Sequence, residues 1–146
     1  MTNASASLIK TNSAITSTPL VLEALLELAA FDAVASLRQF RTLKWWAIRK
    51  ARRVMNGAEA LDRAKEIAVA IDAACTIYPK TAMCLQRSVV LTRMCRRRGC
   101  EVELVTGIQR LPFRSHAWVE LDGIPIGDSK KVQEVYVTLD RWKINR

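Results

Sequence analysis

The spacing of apolar residues predicts helices in the first part of the chain. Thr18 and Pro19 suit a helix start, a capping hydroxyl followed by a proline in the first turn. Beyond them, apolar residues recur three or four positions apart, which is the helical period. Three stripes result: Leu20, Ala24, Leu28 and Phe31; then Leu37, Phe40, Leu43 and Ala47; then Leu61, Ala64, Ala68, Ile71 and Cys75. We therefore expect one helix from residue 18, a second over about 35–55 and a third over 58–75.

A fourth helix is predicted within the stretch AMCLQRSVVLTRMCRRRGC, residues 82–100. Thr81 is a candidate N-cap, Gly99 suits the end of the helix, and the three preceding arginines complement the carbonyl end of the helix dipole. Because its apolar residues lie almost all around the helix, we expect this helix to be buried.

Beyond Gly99 the pattern changes to alternation, which is typical of strands. The candidate strands lie in EVELVTGI, HAWVEL, GIPIGD and EVYVTL. Helices followed by strands predict an α+β fold, with a helical N-terminal part packed on an antiparallel sheet. We divide the chain into a flexible tail over 1–17, a helical subdomain over 18–80, and a core of one helix and the strands over 81–146.

Length and charge limit the classes of function. The 146 residues suit one domain, and the net charge of +9 indicates an acidic partner. The most apolar stretch, PLVLEALLELAAF, contains Glu23 and Glu27 and has no basic region just before it, so it predicts neither a membrane span nor a signal peptide. The cytoplasm is the expected location. No phosphate-binding loop or nucleic-acid motif accompanies the charge, so we expect no nucleic-acid partner.

The most basic segment has no acidic residue from Ala33 to Ala58. One interpretation is a solvated helix face, which is what most charge runs are. The other is a docking surface for an acidic peptide, a partner protein or lipid headgroups. On the second interpretation, the candidate contact residues are Arg49, Lys50, Arg52 and Arg53.

The cysteines argue against a metal centre. The chain has four cysteines, no C-x-x-C pair and one histidine, so neither a structural zinc site nor a cofactor is expected. Cys84 lies at the start of the fourth predicted helix, where unpaired N–H groups and the helix dipole favour a thiolate. The same N–H groups could stabilise an oxyanion. The alternative is that Cys84 is a small buried apolar residue, as many cysteines are.

His116 is the only histidine and lies on a predicted strand. Imidazole is the side chain best suited to act as a base near neutral pH, and it needs an orienting partner. Asp122 lies inside the turn and is discounted. Asp128 would lie opposite His116 if the hairpin had a three-residue loop with Gly123 left-handed, or an equivalent bulge, whereas a two-residue Asp-Gly turn would place them on opposite faces. Although the apolar alternation favours the two-residue turn, we predict the three-residue loop.

A family resemblance is carried by CLQRSVVLTRMCRRRGCEVELVTGIQRLPFRSHAWVELDGIPIGDS, residues 84–129. This stretch resembles the transglutaminase-like peptidase half of the B protein of lasso-peptide biosynthesis. The resemblance implies a papain- or transglutaminase-like core and removal of a leader from a ribosomally made precursor through a thioester. It implies that Cys84 is the nucleophile, His116 the base and then the acid, and Asp128 the orienting residue, with the Cys84 backbone N–H as an oxyanion donor.

The resemblance also implies partners. Fused members of the family carry an N-terminal leader-recognition domain with strands, whereas residues 1–80 here predict a tail and helices. We therefore expect the split form, with a separate small leader-binding protein and an ATP-dependent cyclase that uses the released amine. Two other classes stay open: an acyltransferase in which an amine captures the thioester, and a non-enzymatic adaptor that presents the basic face.

Overall fold

A computed structural model of the protein describes residues 17–37, 54–55 and 57–143. Three long helices come first: α1 (Thr18–Leu37), α2 (Gly57–Ile77) and α3 (Cys84–Arg97). They are followed by β1 (Glu103–Gln109), β2 (Arg114–Leu121), β3 (Ile124–Ile126), the short α4 (Val132–Val135) and β4 (Val137–Trp142). The predicted α+β class is confirmed.

Two predictions fall outside the described residues. One is the flexible tail, apart from Ser17. The other is the second helix over residues 38–53, together with the basic residues Arg49, Lys50, Arg52 and Arg53. The predicted ends of that helix are wrong, since 35–37 belong to α1 and Met55 forms a β-bridge with Cys100. Among the helices of the described ranges, none is long and apolar enough to cross a membrane.

Helix α1 packs on α2 and α3 through the predicted apolar stripe, so that prediction is confirmed. Its buried residues are Leu20, Ala24, Leu28 and Phe31. The adjoining acidic positions face the end of α3, where Arg93 Nε lies 2.8 Å from Glu27 Oε2 and Arg98 pairs with Glu23. Apolar packing and ion pairs therefore fix the same interface.

Helix α2 fits closely into the core because its buried face is rich in alanine. The buried residues are Ala60, Ala64, Ile67, Ala68, Ala70, Ile71 and Ala74. Small side chains allow the helix backbones to approach one another. One core cluster runs through α1, α2, α3 and the sheet.

The two ends of α3 differ in how well they were predicted. The helix begins at Cys84 with Met83 as the N-cap and no side-chain capping hydrogen bond, so the expectation that Thr81 caps it is wrong. The C-terminal prediction is confirmed: Gly99 has φ 89°, and its N–H donates to the Arg96 carbonyl at 3.0 Å. The Cys100 N–H donates to the Cys95 carbonyl at 3.0 Å, which completes a Schellman motif.

Arg96 joins this helix end to the sheet. Its side chain is buried and donates to the carbonyl oxygen of Val102 at 2.8 Å and to that of Trp142 at 3.0 Å. Burial lowers the pKa of the guanidinium, while the charges of Glu101 and Glu103 oppose that shift. An arginine predicted to complement the helix dipole therefore also bonds two strand carbonyls.

The four strands form an antiparallel sheet in the order β3-β2-β1-β4. One face packs on α3 through Leu104, Val119, Leu121 and Ile126. The other face carries a small second cluster of Val105, Trp118 and Val132, with Tyr136 packed against it. The fourth predicted strand, 134–139, is partly wrong because Val132–Val135 form a helical turn and β4 begins at Val137.

The β2–β3 hairpin has a two-residue turn, so the predicted three-residue loop is wrong. Leu121 pairs with Ile124, and Val119 pairs with Ile126. Asp122 and Gly123 have φ values of 50° and 78°, as a type I′ turn requires. This register buries Val119, Leu121 and Ile126 on the α3 side, and that burial outweighs any preference for a longer loop.

Candidate functional site

A cleft of about 230 Å³ lies where α2 and the start of α3 meet the open end of the β2–β3 hairpin. Its polar and aromatic lining consists of Asp72, Cys84, Arg87, Ser88, His116, Trp118 and Asp128. The structure therefore brings all three candidate residues, Cys84, His116 and Asp128, to one cleft, although they come from three separate elements.

Cys84 is the first residue of α3 and is half-buried at the cleft. The first intrahelical hydrogen bond is donated by the Arg87 N–H to the Met83 carbonyl at 3.0 Å. The N–H groups of Cys84 and the next two residues come before it, so they can donate out of the helix end. A negative charge on the thiolate, or on an oxygen beside it, would be stabilised there.

The other three cysteines do not offer the same chemistry. Burial raises the pKa of the Cys75 thiol, although Arg87 partly opposes the shift. A hydrogen bond with Cys95 lowers the pKa of Cys100 to about 7, but both of these thiols are completely buried. A reactive cysteine needs access, and Cys84 is the half-buried cysteine that lines the cleft at the start of a helix.

His116 and Asp128 are in contact: His116 Nε2 lies 2.6 Å from Asp128 Oδ2. The contact does not come from the predicted loop. Strand pairing ends at Ile126, and Gly127 then has φ 67°. This left-handed residue turns the chain, so the direction of the Asp128 side chain no longer follows the alternation of the sheet.

The contact fixes which nitrogen of the imidazole is free. An ionised carboxylate only accepts hydrogen bonds, so Nε2 of His116 must carry the proton that it shares with Asp128. In the neutral ring, Nδ1 is then the atom with the lone pair. This nitrogen is the one that can take a proton from a group in the cleft. About a quarter of the His116 side chain, 25%, is exposed, so the ring is both held and accessible.

Aromatic residues surround the other side of His116, and sequence reasoning missed them. The Trp118 ring is stacked with the His116 ring at an interplanar angle of 17°, with centroids 6.1 Å apart. The Tyr136 ring lies 5.1 Å from it. The signal for Trp118 was available, because residues two apart on a strand share a face. Nothing local places Tyr136 there.

Arg87 and Asp72 form an ion pair at the cleft wall, and these two residues were also missed. Arg87 follows Cys84 by three positions on α3, so it lies on the same face of the helix. Asp72 comes from α2. The pair adds charged groups to a cleft whose lining also includes the apolar residues Ala68, Ile71 and Leu91.

Metal-ligating residues do not cluster in the part of the chain that the structure describes. Within residues 17–37, 54–55 and 57–143, no group of three or more His, Cys, Asp or Glu side chains could hold a metal ion. The chemistry available in the cleft is that of a thiol, an imidazole, a carboxylate and backbone N–H donors.

Comparison with known proteins agrees with this architecture. The profile of the transglutaminase-like superfamily matches residues 27–140, which is most of the chain. The chain therefore belongs to the transglutaminase-like superfamily. A relative, the microcin J25-processing protein McjB of Escherichia coli, is 37% identical over 51 residues. That stretch covers 35% of this chain and 24% of McjB. No solved structure matches the chain significantly.

The two matches confirm the resemblance that the sequence predicted, to the B proteins of lasso-peptide biosynthesis. The match to McjB spans less than a quarter of that relative's length.

Proposed function

We propose that the protein is a cysteine peptidase that removes the leader from a lasso-peptide precursor. One observation carries the proposal: the accessible helix-start cysteine shares a cleft with a histidine whose Nε2 is bonded to an aspartate. The superfamily match and the partial identity to a microcin-processing protein support the same class of reaction.

In the proposed mechanism, His116 Nδ1 takes the proton of the Cys84 thiol. The thiolate attacks the carbonyl carbon of the bond between leader and core, and the backbone N–H of Cys84 donates to the resulting oxyanion. The C–N bond breaks as the imidazolium gives its proton to the leaving amine. Water, deprotonated by His116, then attacks the thioester, which releases the leader carboxylate and restores the thiol.

The role of Asp128 in this scheme is to orient the ring. Its hydrogen bond keeps the proton on Nε2 and leaves Nδ1 as the base, and its charge stabilises the imidazolium that forms. General acid–base catalysis of this kind contributes about 10²- to 10⁴-fold in rate.

The proposed partners are the precursor peptide, a separate leader-binding protein and an ATP-dependent cyclase that takes the released core. Arg49, Lys50, Arg52 and Arg53 are proposed contacts for an acidic partner or for the precursor. Charge reversal at these four positions should weaken partner binding and processing. Unchanged binding and processing would remove these residues from the proposal.

The test is to incubate the protein with the precursor peptide encoded nearest to its own gene, with and without the candidate partner proteins, and to follow the products by mass spectrometry. We expect a free leader and a core with a new amino terminus. Cys84→Ala and His116→Ala should abolish the products, whereas Cys75→Ala, a matched change at another half-buried cysteine, should not.

Three outcomes would change the proposal. A leader joined to an added amine in place of the free acid would indicate an acyltransferase. Processing that survives Cys84→Ala would exclude nucleophilic catalysis by this thiol. Peptide binding without any cleavage, under all partner combinations, would favour an adaptor.

A further inference from the structure

Glu120 is a buried carboxylate on the same strand as His116. Only 1% of this residue is exposed, yet it accepts three side-chain hydrogen bonds. Trp118 Nε1 donates at 2.6 Å, Gln133 Nε2 at 2.8 Å and Arg141 Nη1 at 2.6 Å. Burial by itself would raise the pKa of this carboxyl, but the hydrogen bonds from Arg141, Gln133 and Trp118 outweigh it and lower the pKa. Burying an ionised carboxylate costs free energy of desolvation, so the presence of Glu120 at this position calls for an explanation.

The hydrogen bond from Trp118 offers an explanation for the buried carboxylate, because this bond fixes the rotation of the indole ring. The indole ring also packs closely on the neighbouring strand β1: a Cβ atom added to Gly107 would lie 2.9 Å from Trp118 Cη2. Glycine at this position of β1 therefore leaves space that the indole occupies. Only 1% of Trp118 is exposed, so packing and the hydrogen bond from Nε1 together hold the indole in one position.

The indole face of Trp118 is stacked with the His116 ring, and Tyr136 places a second aromatic ring next to the imidazole. Trp118 and Tyr136, which we call the aromatic pair, have centroids 6.3 Å apart, and each contacts the imidazole. Aromatic rings at these separations attract one another through their quadrupoles, and they attract a cation such as imidazolium.

We propose that Glu120 and the aromatic pair are positioning residues that hold the His116 ring with Nδ1 directed at the Cys84 side of the cleft. This inference rests on the proposed function, and it adds the residues that set the geometry of its base. Without them, the His116 ring would be held only by its link to the backbone and by its one hydrogen bond to Asp128.

Other groups around the imidazole also bear on any pH profile. They are Asp128 beyond β3, Cys84 and Arg87 on α3, Asp72 on α2, and Tyr136 before β4. The experiment therefore leaves these groups in place when it changes Trp118, and it compares variants with each other across the whole profile.

The chain contains a matched control for Trp118. Trp142 is also almost fully buried and donates from Nε1 to a carboxylate two positions away on its own strand, Asp140 Oδ2, at 2.8 Å. Trp118→Phe and Trp142→Phe each remove the indole N–H bond of a buried tryptophan. The ring of Trp118 is stacked with His116, whereas Trp142 packs in the larger core cluster with Leu104.

The first readout is the rate at which iodoacetamide alkylates Cys84, measured against pH by peptide mass mapping. Alkylation requires no peptide substrate. We expect Trp118→Phe to lower the rate near neutral pH by about tenfold and to change the shape of the profile, because a misplaced base forms the thiolate less readily. Tyr136→Leu should act in the same direction and Tyr136→Phe should restore the rate. Trp142→Phe should keep the profile of the unchanged protein.

The second readout is the ¹⁵N spectrum of the His116 ring in full-length Cys84→Ala, which is unambiguous because the chain has one histidine. We expect the Nε2–H tautomer, with ring ¹⁵N shifts that change when Trp118→Phe is added, because the stacked indole is then replaced. If Trp118→Phe and Trp142→Phe give the same alkylation profile and the same ring spectrum, the positioning role is wrong. If His116→Ala itself leaves the alkylation profile unchanged, the proposed function fails first, so the two failures can be told apart.

Discussion

Ser88 Oγ donates a hydrogen bond of 2.9 Å to the carbonyl oxygen of Ala117, and both residues are buried. Ser88 lies one turn after Cys84 on α3, and Ala117 follows His116 on β2. This contact therefore joins the backbone next to the candidate base to the helix that carries the candidate nucleophile. It is a direct hydrogen bond between the two halves of the site.

We expect Ser88→Ala to weaken this junction. The Ala117 carbonyl would lose its bond to Ser88 within the core, which costs about 1–3 kcal/mol. Urea unfolding should show that loss, and the rate of Cys84 alkylation should fall as well. Ser36→Ala is the control, because Ser36 also donates to a backbone carbonyl, that of Asp32 at 2.7 Å, but does so on an exposed part of its own helix. Equal effects of the two changes would contradict the special role of Ser88.

Gly127 sets the direction of Asp128 and offers a second test. An added Cβ atom at Gly127 would lie 3.0 Å from Ala68 Cβ on α2, whereas one at Gly123 would meet nothing within 4 Å. Both glycines have positive φ, 67° and 78°, so alanine is strained at both.

We therefore expect Gly123→Ala to cost about 1 kcal/mol from backbone strain alone and Gly127→Ala to cost about 1–3 kcal/mol more, since overpacking is added. Only Gly127→Ala should reduce precursor processing, because it displaces Asp128 from His116. Thermal unfolding and mass-spectrometric processing assays would measure the two effects. A fully active Gly127→Ala variant would show that the turn is not needed to place the carboxylate.

Asp128 itself contributes an acceptor and a charge, and two substitutions separate them. Asparagine keeps an oxygen that can accept from Nε2 of His116, whereas alanine keeps neither property. We expect kcat to decrease from the unchanged protein to Asp128→Asn and again to Asp128→Ala, with a total loss of about 10²- to 10⁴-fold. KM for the precursor should change much less. Asp122→Ala, in the turn, is the control, and equal activity of the two Asp128 variants would mean that orientation by this side chain has no part in catalysis.

The sequence predicted the parts of this fold that depend on local periodicity. The stripe of α1 and the glycine end of α3 are confirmed because each follows from neighbouring residues. The hairpin turn was mispredicted although its local signals were correct: Asp122-Gly123 and the apolar alternation both favoured the two-residue form. The error came from requiring the sheet itself to bring Asp128 to His116.

What places Asp128 is a long-range contact, and no local pattern contains it. Gly127 must be a glycine because it turns left-handed and because Ala68, some sixty residues earlier, packs against it. For the same reason, the sequence did not predict the contact of Tyr136 with His116 or the ion pair of Arg87 with Asp72. These residues meet only once α2, α3 and β4 are assembled. Candidate residues were thus predictable from type and motif, while their geometry was not.

Acid should destabilise the protein through three carboxylates with lowered pKa values. A hydrogen bond from Arg98 lowers the pKa of Glu23, and one from Tyr78 lowers that of Asp32, in each case against the effect of burial. In Glu120, burial is outweighed by bonds from Arg141, Gln133 and Trp118. In the unfolded chain these groups take up protons near their ordinary pKa values of about 4. As pH falls through that range the unfolded state binds more protons than the folded state, so stability is lost.

We therefore expect the midpoint of thermal unfolding to be steady between about pH 5 and pH 7 and to fall below about pH 4.3. Each kcal/mol lost should lower the midpoint by about 4 °C in a chain of this size. Glu23→Gln removes one of the three groups, so the variant should be less stable at neutral pH and should lose less on acidification. Glu66→Gln, which removes a carboxylate from an exposed pair with Arg63, is the matched control and should leave the acid response unchanged. An acid response of equal size in Glu23→Gln and the unchanged protein would show that the contacts of Glu23 with Arg97 and Arg98 are not maintained in solution.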